Sequence, residues 1–257
     1  MKKKFFDAPY VITQKQKEFE DQNILGHKGL EYFKLSEKAK ISPFFILTTT
    51  AFDHFVQSSL LVDPIVDQIC KVDINDPEST DKASKNISDI LNKASLPSII
   101  LNPLKVAFDS IKQDKNVYFK IIPSFIFSEK FIPKEAPNFE MNISSFENLL
   151  EQIKHGWSFL FSKEALLLRA QNFYQGNLSI ALIIQKIVNP EASGNAKFMA
   201  DRTEISAFFG CQHPEIAGAD KYIVEGNQIT EKYIVPQDKL AIRVFKDPNK
   251  KYKTNRA

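Results

Sequence analysis

A lysine between two glycines is the first feature of this sequence that suggests chemistry. Residues 26–29 read GHKG, and an amphipathic helical pattern follows them. The first amides of a helix favour an anion, and a lysine beside them can contact a phosphate. Lys28 is therefore a candidate phosphate ligand. The alternative is an ordinary surface lysine near the start of a helix.

A second candidate is the apolar run LSIALIIQKIVNPEASG, which extends from Leu178 to Gly194. It is interrupted only by a hydroxyl, an amide and a lysine before a turn begins at Asn189. Such a run is typical of a buried strand. It also fits a strand whose end lies against a bound ligand, since ligand sites combine apolar walls with a few polar groups. Both interpretations stay open from the residues alone.

Composition restricts the classes of function. The chain has 257 residues, a formal net charge of +3, 43% hydrophobic residues and 25% charged residues. Interspersed charges of both signs indicate a solvated surface and argue against nucleic-acid binding. The two cysteines lack a nearby partner and the histidines show no metal-ligand spacing, so we expect free thiols in the cytoplasm. No apolar run is long enough to span a membrane.

The first half of the chain predicts a mixture of helices and strands. Residues 1–20 are expected to be a peripheral lead-in, and the GHKG turn to open a helix. Pro43 to Leu47 has a buried-strand pattern, and Thr50 with Asp53 is a helix-start signature for a helix to about Ser59. Residues 73–86 are polar and predict a loop. Helical patterns cover residues 87–94 and 103–114, and a strand-like pattern covers 117–127.

The second half predicts two helices and then strands. A capping box formed by Ser144 and Glu147 precedes a helix that extends to Leu160, and another helix covers residues 163–171. From Leu178 onward the patterns are those of strands, with a hairpin around residues 225–227 and a last strand at 240–245. We therefore expect an α+β fold.

Four segments, in order, resemble the N-terminal ATP-binding domain of the phosphoenolpyruvate synthase and pyruvate phosphate dikinase family. They cover roughly residues 22–235. The first is the GHKG turn with its helix, proline-led strand and threonines. The others are HGWSFLFSKEALLLRAQ, IALIIQKIVNPEASG and FFGCQHPEIAGADKYIV. The second is similar to the family's tryptophan-containing helix, the third to its glutamine-lysine strand with an alanine-serine-glycine turn, and the fourth to its glycine-rich loop.

This resemblance implies an ATP-grasp-like architecture, in which two lobes with a mixed or antiparallel sheet and flanking helices enclose a cleft. The implied boundaries are a lead-in at 1–20, a nucleotide-binding domain at 21–236 and a last strand with a basic tail at 237–257. The lobes would cover about 21–140 and 141–236.

The resemblance also implies roles for individual residues. Lys28 and Lys120 would contact the phosphates of ATP, with Lys120 standing where the family has an arginine. The strand that would lie under adenine comprises Gln185, Lys186, Ile187 and Val188, with Ile184 and Ile187 against the ring. A strand lysine that points to water remains the alternative for Lys120, and a core strand remains the alternative for residues 184–188.

The sequence departs from the family where Mg²⁺ would bind, since this hard cation prefers carboxylate oxygens. Ser206 occupies one acidic position of the family, and the loop at 210–213 contains no acid. Asp201, Glu204 and Glu215 are the substitute candidates, with Glu204 and Glu215 preferred; a solvated loop residue is the alternative for each. The loop after Lys120 also lacks glycine: none of the 8 glycines lies between Gly29 and Gly156.

Two functions from different classes follow from the resemblance. The first is an ATP-binding domain that passes a phosphoryl group to a histidine on a separate protein. Its partner would be a phosphohistidine carrier or a phosphoenolpyruvate- or pyruvate-binding protein, because the family's own carrier and barrel domains are not expected in this chain. The second is a catalytically inactive relative that acts as a nucleotide-binding or protein-interaction module. An unrelated α/β scaffold is a third alternative.

Overall fold

A computed structural model describes most of the first three quarters of the chain. The described residues are 9–16, 21–112, 118–127, 132, 143, 145–173, 176, 178–187, 192–198, 202–209 and 220–225, the last three ranges as backbone only. The chain divides into two compact units, Met1–Ile187 and Val188–Ala257. Each unit is described by itself below.

The first unit contains helices and one sheet. Its helices are α1 (Gln22–Lys38), α2 (Thr49–Ser58), α3 (Val62–Ile69), α4 (Pro77–Lys93), α5 (Ser98–Ile111), α6 (Phe146–Ser158) and α7 (Lys163–Gln171). A 3-10 turn at Phe159–Phe161 joins α6 to α7. Its strands are β1 (Val11–Thr13), β2 (Phe44–Leu47), β3 (Phe119–Phe125) and β4 (Ile180–Lys186).

The four strands form an antiparallel sheet in the order β1-β2-β4-β3. The central strand β4 is the apolar run noted in the sequence, and its residues from Ile180 to Gln185 are all buried. A strand buried on both faces needs apolar side chains at successive positions, which accounts for the continuous pattern. Strands β2 and β4 lie on opposite sides of residue 140 in the sequence, yet they pair in one sheet. The predicted lobe boundary near residue 140 stays a prediction.

Alternate residues of the sheet enter two separate cores, as the two-residue period of a strand requires. One face packs against α1 in a small cluster that includes Leu25, Phe33, Phe44 and Ile183. The other face packs in a large cluster with the remaining helices. In the large cluster Trp157 is fully buried and stacks on Phe55, with ring centroids 5.0 Å apart. Helix α1 is thus the element that covers its face of the sheet.

The second unit contains an antiparallel sheet of three strands in its described residues. The order is β5 (Ala192–Phe198), β6 (Arg202–Phe209) and β7 (Asp220–Glu225). The predicted hairpin around 225–227 and the strand at 240–245 lie outside the described residues. Together the two units confirm the predicted α+β class.

Most predicted elements of the first unit are confirmed. These are α1, α2, α5, α6 and α7, and the strands β2, β3 and β4. Pro123 is accommodated in β3 because that strand lies at the edge of the sheet, where a missing N–H costs no ladder hydrogen bond.

Several predictions were wrong. The cap of α6 is not Ser144 but Ser145, whose hydroxyl accepts the Asn148 N–H, and α3 was not predicted. Residues 77–86 are not a loop but the first half of α4, because Pro77 occupies the first helical position and Asp76 caps the helix. The signature formed by Thr50 and Asp53 does not start a helix: α2 begins after Thr48, and no side chain caps it. Residues 11–13 form an edge strand that the sequence pattern did not indicate. Among the described residues, no helix combines the length and the apolarity needed to cross a bilayer.

Candidate functional site

The GHKG turn is a break inside α1. Gly26 has φ 69° and ψ 174°, which interrupts the helix, and a new helical run begins at His27. His27 and Lys28 are exposed. The first N–H groups of a helical run have no partner within it. One of them, the N–H of Gly29, donates to the Ser124 hydroxyl at 2.8 Å.

Glycine at position 26 is required by close contact with β3. A Cβ built on Gly26 would lie 2.4 Å from the Ser124 Oγ and 2.5 Å from the Ser124 carbonyl oxygen. The positive φ also favours glycine over every other residue. The Ser124 hydroxyl in turn donates to the Leu25 carbonyl oxygen at 2.7 Å. The break in α1 is therefore fixed against β3 on both sides of Gly26.

Lys120 lies on the same strand as Ser124 and on the same face. The two residues are four positions apart on β3, so their side chains project toward α1. Lys120 is half-buried, and its Cα pairs with that of Gln185 on β4. Strand β3 thus carries both Ser124, which hydrogen-bonds to the backbone around the GHKG turn, and Lys120, the second candidate phosphate ligand.

Tyr32 connects α1 to Gln185, the residue that pairs with Lys120. Its hydroxyl donates to the Gln185 Oε1 at 3.2 Å, and only 8% of Gln185 is exposed. Burial raises the pKa of Tyr32, which keeps the phenol protonated and available as a donor. Tyr32 follows Lys28 by four residues and therefore lies on the same side of the helix. Tyr32, Gln185 and Lys120 consequently lie on the face of the sheet that α1 covers, and Lys28 is exposed on α1 one turn before Tyr32. We call these four residues the lysine row.

The end of β4 is partly committed to protein contacts. The Lys186 N–H donates to the Pro43 oxygen at 2.9 Å, and the Ile187 N–H donates to the Tyr118 oxygen at 2.7 Å. Ile184 is fully buried in the large core, on the face opposite to Gln185. Val188 lies outside the described residues. The adenine roles of these residues stay predictions. The N–H groups of Lys186 and Ile187 already donate to protein oxygens and are not free to bind the base.

A cavity of about 780 Å³ opens where β4 ends. Its volume falls in the range usual for small-molecule sites. Its lining combines two lysines, three hydroxyl-bearing residues and two phenylalanines: Lys15, Lys186, Thr13, Ser36, Ser110, Phe44 and Phe45, together with Gln14, Pro43 and Ile111. The lining suits a ligand with an apolar part and a negative part.

The metal candidates lie in or near the second unit. Glu204 stands on β6, opposite Lys197 on β5 and Ile223 on β7. Glu215 lies outside the described residues, and Ser206 also stands on β6. Where the structure describes the chain, no three side chains of the metal-binding types are grouped to hold an ion. The metal roles of Glu204 and Glu215 stay predictions.

Sequence analysis missed Tyr32 and Ser124. A signal existed for both: Tyr32 lies four residues after Lys28, and Ser124 lies at an even spacing from Lys120 on a strand. These spacings predict shared faces, but they give no indication of which helix covers which face.

Comparison with known proteins identifies the family of this chain. A family described as "Pyruvate phosphate dikinase, AMP/ATP-binding domain" matches residues 22–256. Rifampicin phosphotransferase of Bacillus cereus is 27% identical over 252 residues, which are 91% of this chain and 28% of the relative. A probable phosphoenolpyruvate synthase of Methanocaldococcus jannaschii is 24% identical over 251 residues, 90% of this chain and 21% of the relative. Phosphoenolpyruvate synthase of Pyrococcus furiosus is 27% identical over 201 residues, 71% of this chain and 24% of the relative.

The chain spans between 21% and 28% of the length of these three relatives. The matched region in each relative is thus one part of a larger protein. Because the family match covers residues 22–256, the chain belongs to the pyruvate phosphate dikinase AMP/ATP-binding domain family.

Proposed function

We propose that this chain binds ATP and holds its phosphates with Lys28 and Lys120. The observation that supports the proposal is that Ser124 on β3 hydrogen-bonds to the backbone around the GHKG turn, which carries Lys28, while Lys120 lies on the same strand and the same face as Ser124. A phosphate group held by both lysines would meet two positive charges and the amides that open the helical run after Gly26, except that of Gly29, which donates to Ser124. Each lysine acts as a point charge, because an ammonium group cannot form the two-pronged contact of arginine.

The hydrogen bond between Tyr32 and Gln185 supports this proposal. It ties the middle of α1 to β4 directly beside Lys120. A phosphate site needs its charges at a fixed separation, since ordering long side chains on binding costs entropy. The hydrogen bond between the Gln185 amide and the Tyr32 phenol fixes α1 against β4 without adding a charge.

For adenine we propose the end of β4, from Gln185 to Val188, with Ile187 as an apolar neighbour; Ile184, fully buried in the large core, would support the strand from its other face. The cavity beside Lys186 supports a ligand at this end of the strand. With the N–H groups of Lys186 and Ile187 bonded to protein oxygens, the base would be recognised through carbonyl groups and Val188.

Mg²⁺ is proposed to accompany the nucleotide, with Glu204 and Glu215 as its carboxylate ligands. Magnesium is usually held by one or two carboxylates together with the substrate phosphates and water. Two glutamates are therefore a sufficient protein contribution.

Phosphoryl transfer to a histidine on a separate protein is the activity that follows if the metal site operates. The acceptor would be a phosphohistidine carrier or a phosphoenolpyruvate- or pyruvate-binding protein. A second candidate function is nucleotide binding without transfer, in a regulatory or interaction module. Ser206 favours it, because this serine stands where the family carries an acid. The appearance of ADP only when a histidine-carrier protein is added would favour transfer.

The lysine contacts are tested by measuring the ATP dissociation constants of three variants. Lys28→Ala and Lys120→Ala should each weaken binding by about 10- to 100-fold, the loss expected for one hydrogen bond to a charged group. Lys34→Ala is the matched control, because Lys34 is also an exposed lysine of α1 but lies outside the lysine row. Equal affinity in all three variants and the unsubstituted protein would refute the assigned roles.

A further inference from the structure

Ser124 is a buried hydroxyl with two roles in the break of α1. Its side chain is fully buried in β3. The Oγ accepts from the Gly29 N–H at 2.8 Å and donates to the Leu25 carbonyl oxygen at 2.7 Å. These two backbone groups lie immediately before Gly26 and shortly after Lys28. The hydroxyl therefore hydrogen-bonds to the backbone on both sides of residues 26–28, the segment that carries Lys28.

Ser124 also shares its strand and its face with Lys120. The two side chains stand four positions apart on β3, so the distance between their Cα atoms is fixed by the extended backbone. The Ser124 hydroxyl hydrogen-bonds to the backbone around the GHKG turn. It therefore sets the position of that turn relative to Lys120 on the same strand. The close approach of residue 26 to the Ser124 Oγ and carbonyl leaves no space for a Cβ there.

We propose that Ser124 is a positioning residue that holds Lys28 in register with Lys120 for phosphate binding. The proposal rests on the proposed nucleotide binding. Ser124 itself need not touch the ligand: it acts through the backbone of residues 25–29.

The hydroxyl is needed because both of its backbone partners are enclosed. Without it, the Gly29 N–H and the Leu25 carbonyl oxygen lose their hydrogen bonds in a site that excludes water, which is costly for each group. The turn then relieves the loss by moving away from β3. Lys28 moves with it, and small displacements of a charged contact reduce its benefit strongly.

The test is a double-substitution cycle on ATP affinity. Ser124→Ala should weaken ATP binding about tenfold, comparable to the loss of one charged contact. In a Lys28→Ala background, Ser124→Ala should cause little further loss, because both changes remove the same contact.

Two measurements separate positioning from a general loss of stability. Ser158→Ala is the matched control, because Ser158 is also a buried serine whose Oγ donates to a backbone oxygen, that of Lys154 at 2.8 Å; its ATP affinity should not change. Amide hydrogen exchange of Gly29 should be slow in the unsubstituted protein and fast in Ser124→Ala. If Ser124→Ala does not fold, Ser124→Cys, with its weak thiol donor, takes its place in the cycle.

Unchanged ATP affinity in Ser124→Ala would overturn the proposal. So would losses from Ser124→Ala and Lys28→Ala that add in the double variant, since additive losses indicate independent action. Failure of the unsubstituted protein to bind ATP would appear before any variant is made, and it would refute nucleotide binding itself.

Discussion

Asp53 shows how a single residue takes a role that its sequence context does not indicate. The spacing from Thr50 to Asp53 is typical of a capping box, yet α2 starts after Thr48 without a side-chain cap. The Asp53 carboxyl is instead half-buried and hydrogen-bonds with Ser179, which directly precedes β4. It therefore links α2 to the central strand.

This buried carboxyl predicts a pH dependence of stability. Burial raises the pKa of Asp53, and the hydrogen bond with Ser179 lowers it by a smaller amount. The native state therefore holds the Asp53 proton more tightly than the unfolded chain does. Its contribution to stability is full below the ordinary pKa of 3.8 and is lost as the pH rises through the raised value.

Asp53→Asn should remove this dependence, because an amide hydrogen-bonds but does not titrate. The difference in Tm between the variant and the unsubstituted protein should shift in favour of the variant as the pH rises from ~3.5 to ~7. Asp89→Asn, at an exposed position of α4, is the control. A Tm difference independent of pH would contradict the direction of the pKa shift.

Motif and resemblance predicted Lys28 and Lys120 as candidate site residues. Lys120 lies on the face of the sheet that α1 covers and Lys28 is exposed on α1; their roles stay predictions. Tyr32 and Ser124 were not identified, because their importance depends on α1 lying across β3 and β4. Strand pairing between residues more than fifty positions apart creates that arrangement, and no local pattern encodes it.

At the scale of elements, strand β4 and helix α6 carry long apolar patterns and were predicted. Helix α3 was not predicted although its pattern is amphipathic. Helix α4 was missed in its first half because only Thr80 and Ala83 face inward there. Pro77 looked like a helix breaker, but proline is favourable at the first helical position.

The start of α4 predicts a local stability effect. Asp76 caps this helix by accepting the Glu78 N–H at 3.0 Å. Asp76→Ala should lower the free energy of unfolding by about 1 kcal/mol, the usual cost of losing such a cap. Urea unfolding followed by circular dichroism measures it.

Asp89→Ala serves as the comparison for the cap, because it makes the same change at an exposed position inside α4. Its effect should stay within about 0.5 kcal/mol. Equal losses in the two variants would show that the cap contributes nothing specific.

At the scale of the whole molecule, the first unit presents a complete sheet with α1 on one face and the other helices on the opposite face. The second unit contributes a separate antiparallel sheet that carries the candidate Glu204. The α+β class could be predicted from the order of patterns along the chain. The assignment of β4 to the same sheet as β2 could not, since antiparallel pairing between distant strands leaves no mark in either sequence segment.

The most direct test of the account is a calorimetric titration of the unsubstituted protein with ATP, with and without Mg²⁺. The account predicts saturable binding with a dissociation constant below about 1 mM, a range typical of nucleotide-sized ligands with several charged contacts. Tighter binding with Mg²⁺ would support the carboxylates of the second unit as metal ligands. Absence of heat at ATP concentrations up to ~1 mM, with and without Mg²⁺, would contradict the claim that the lysine row binds phosphate.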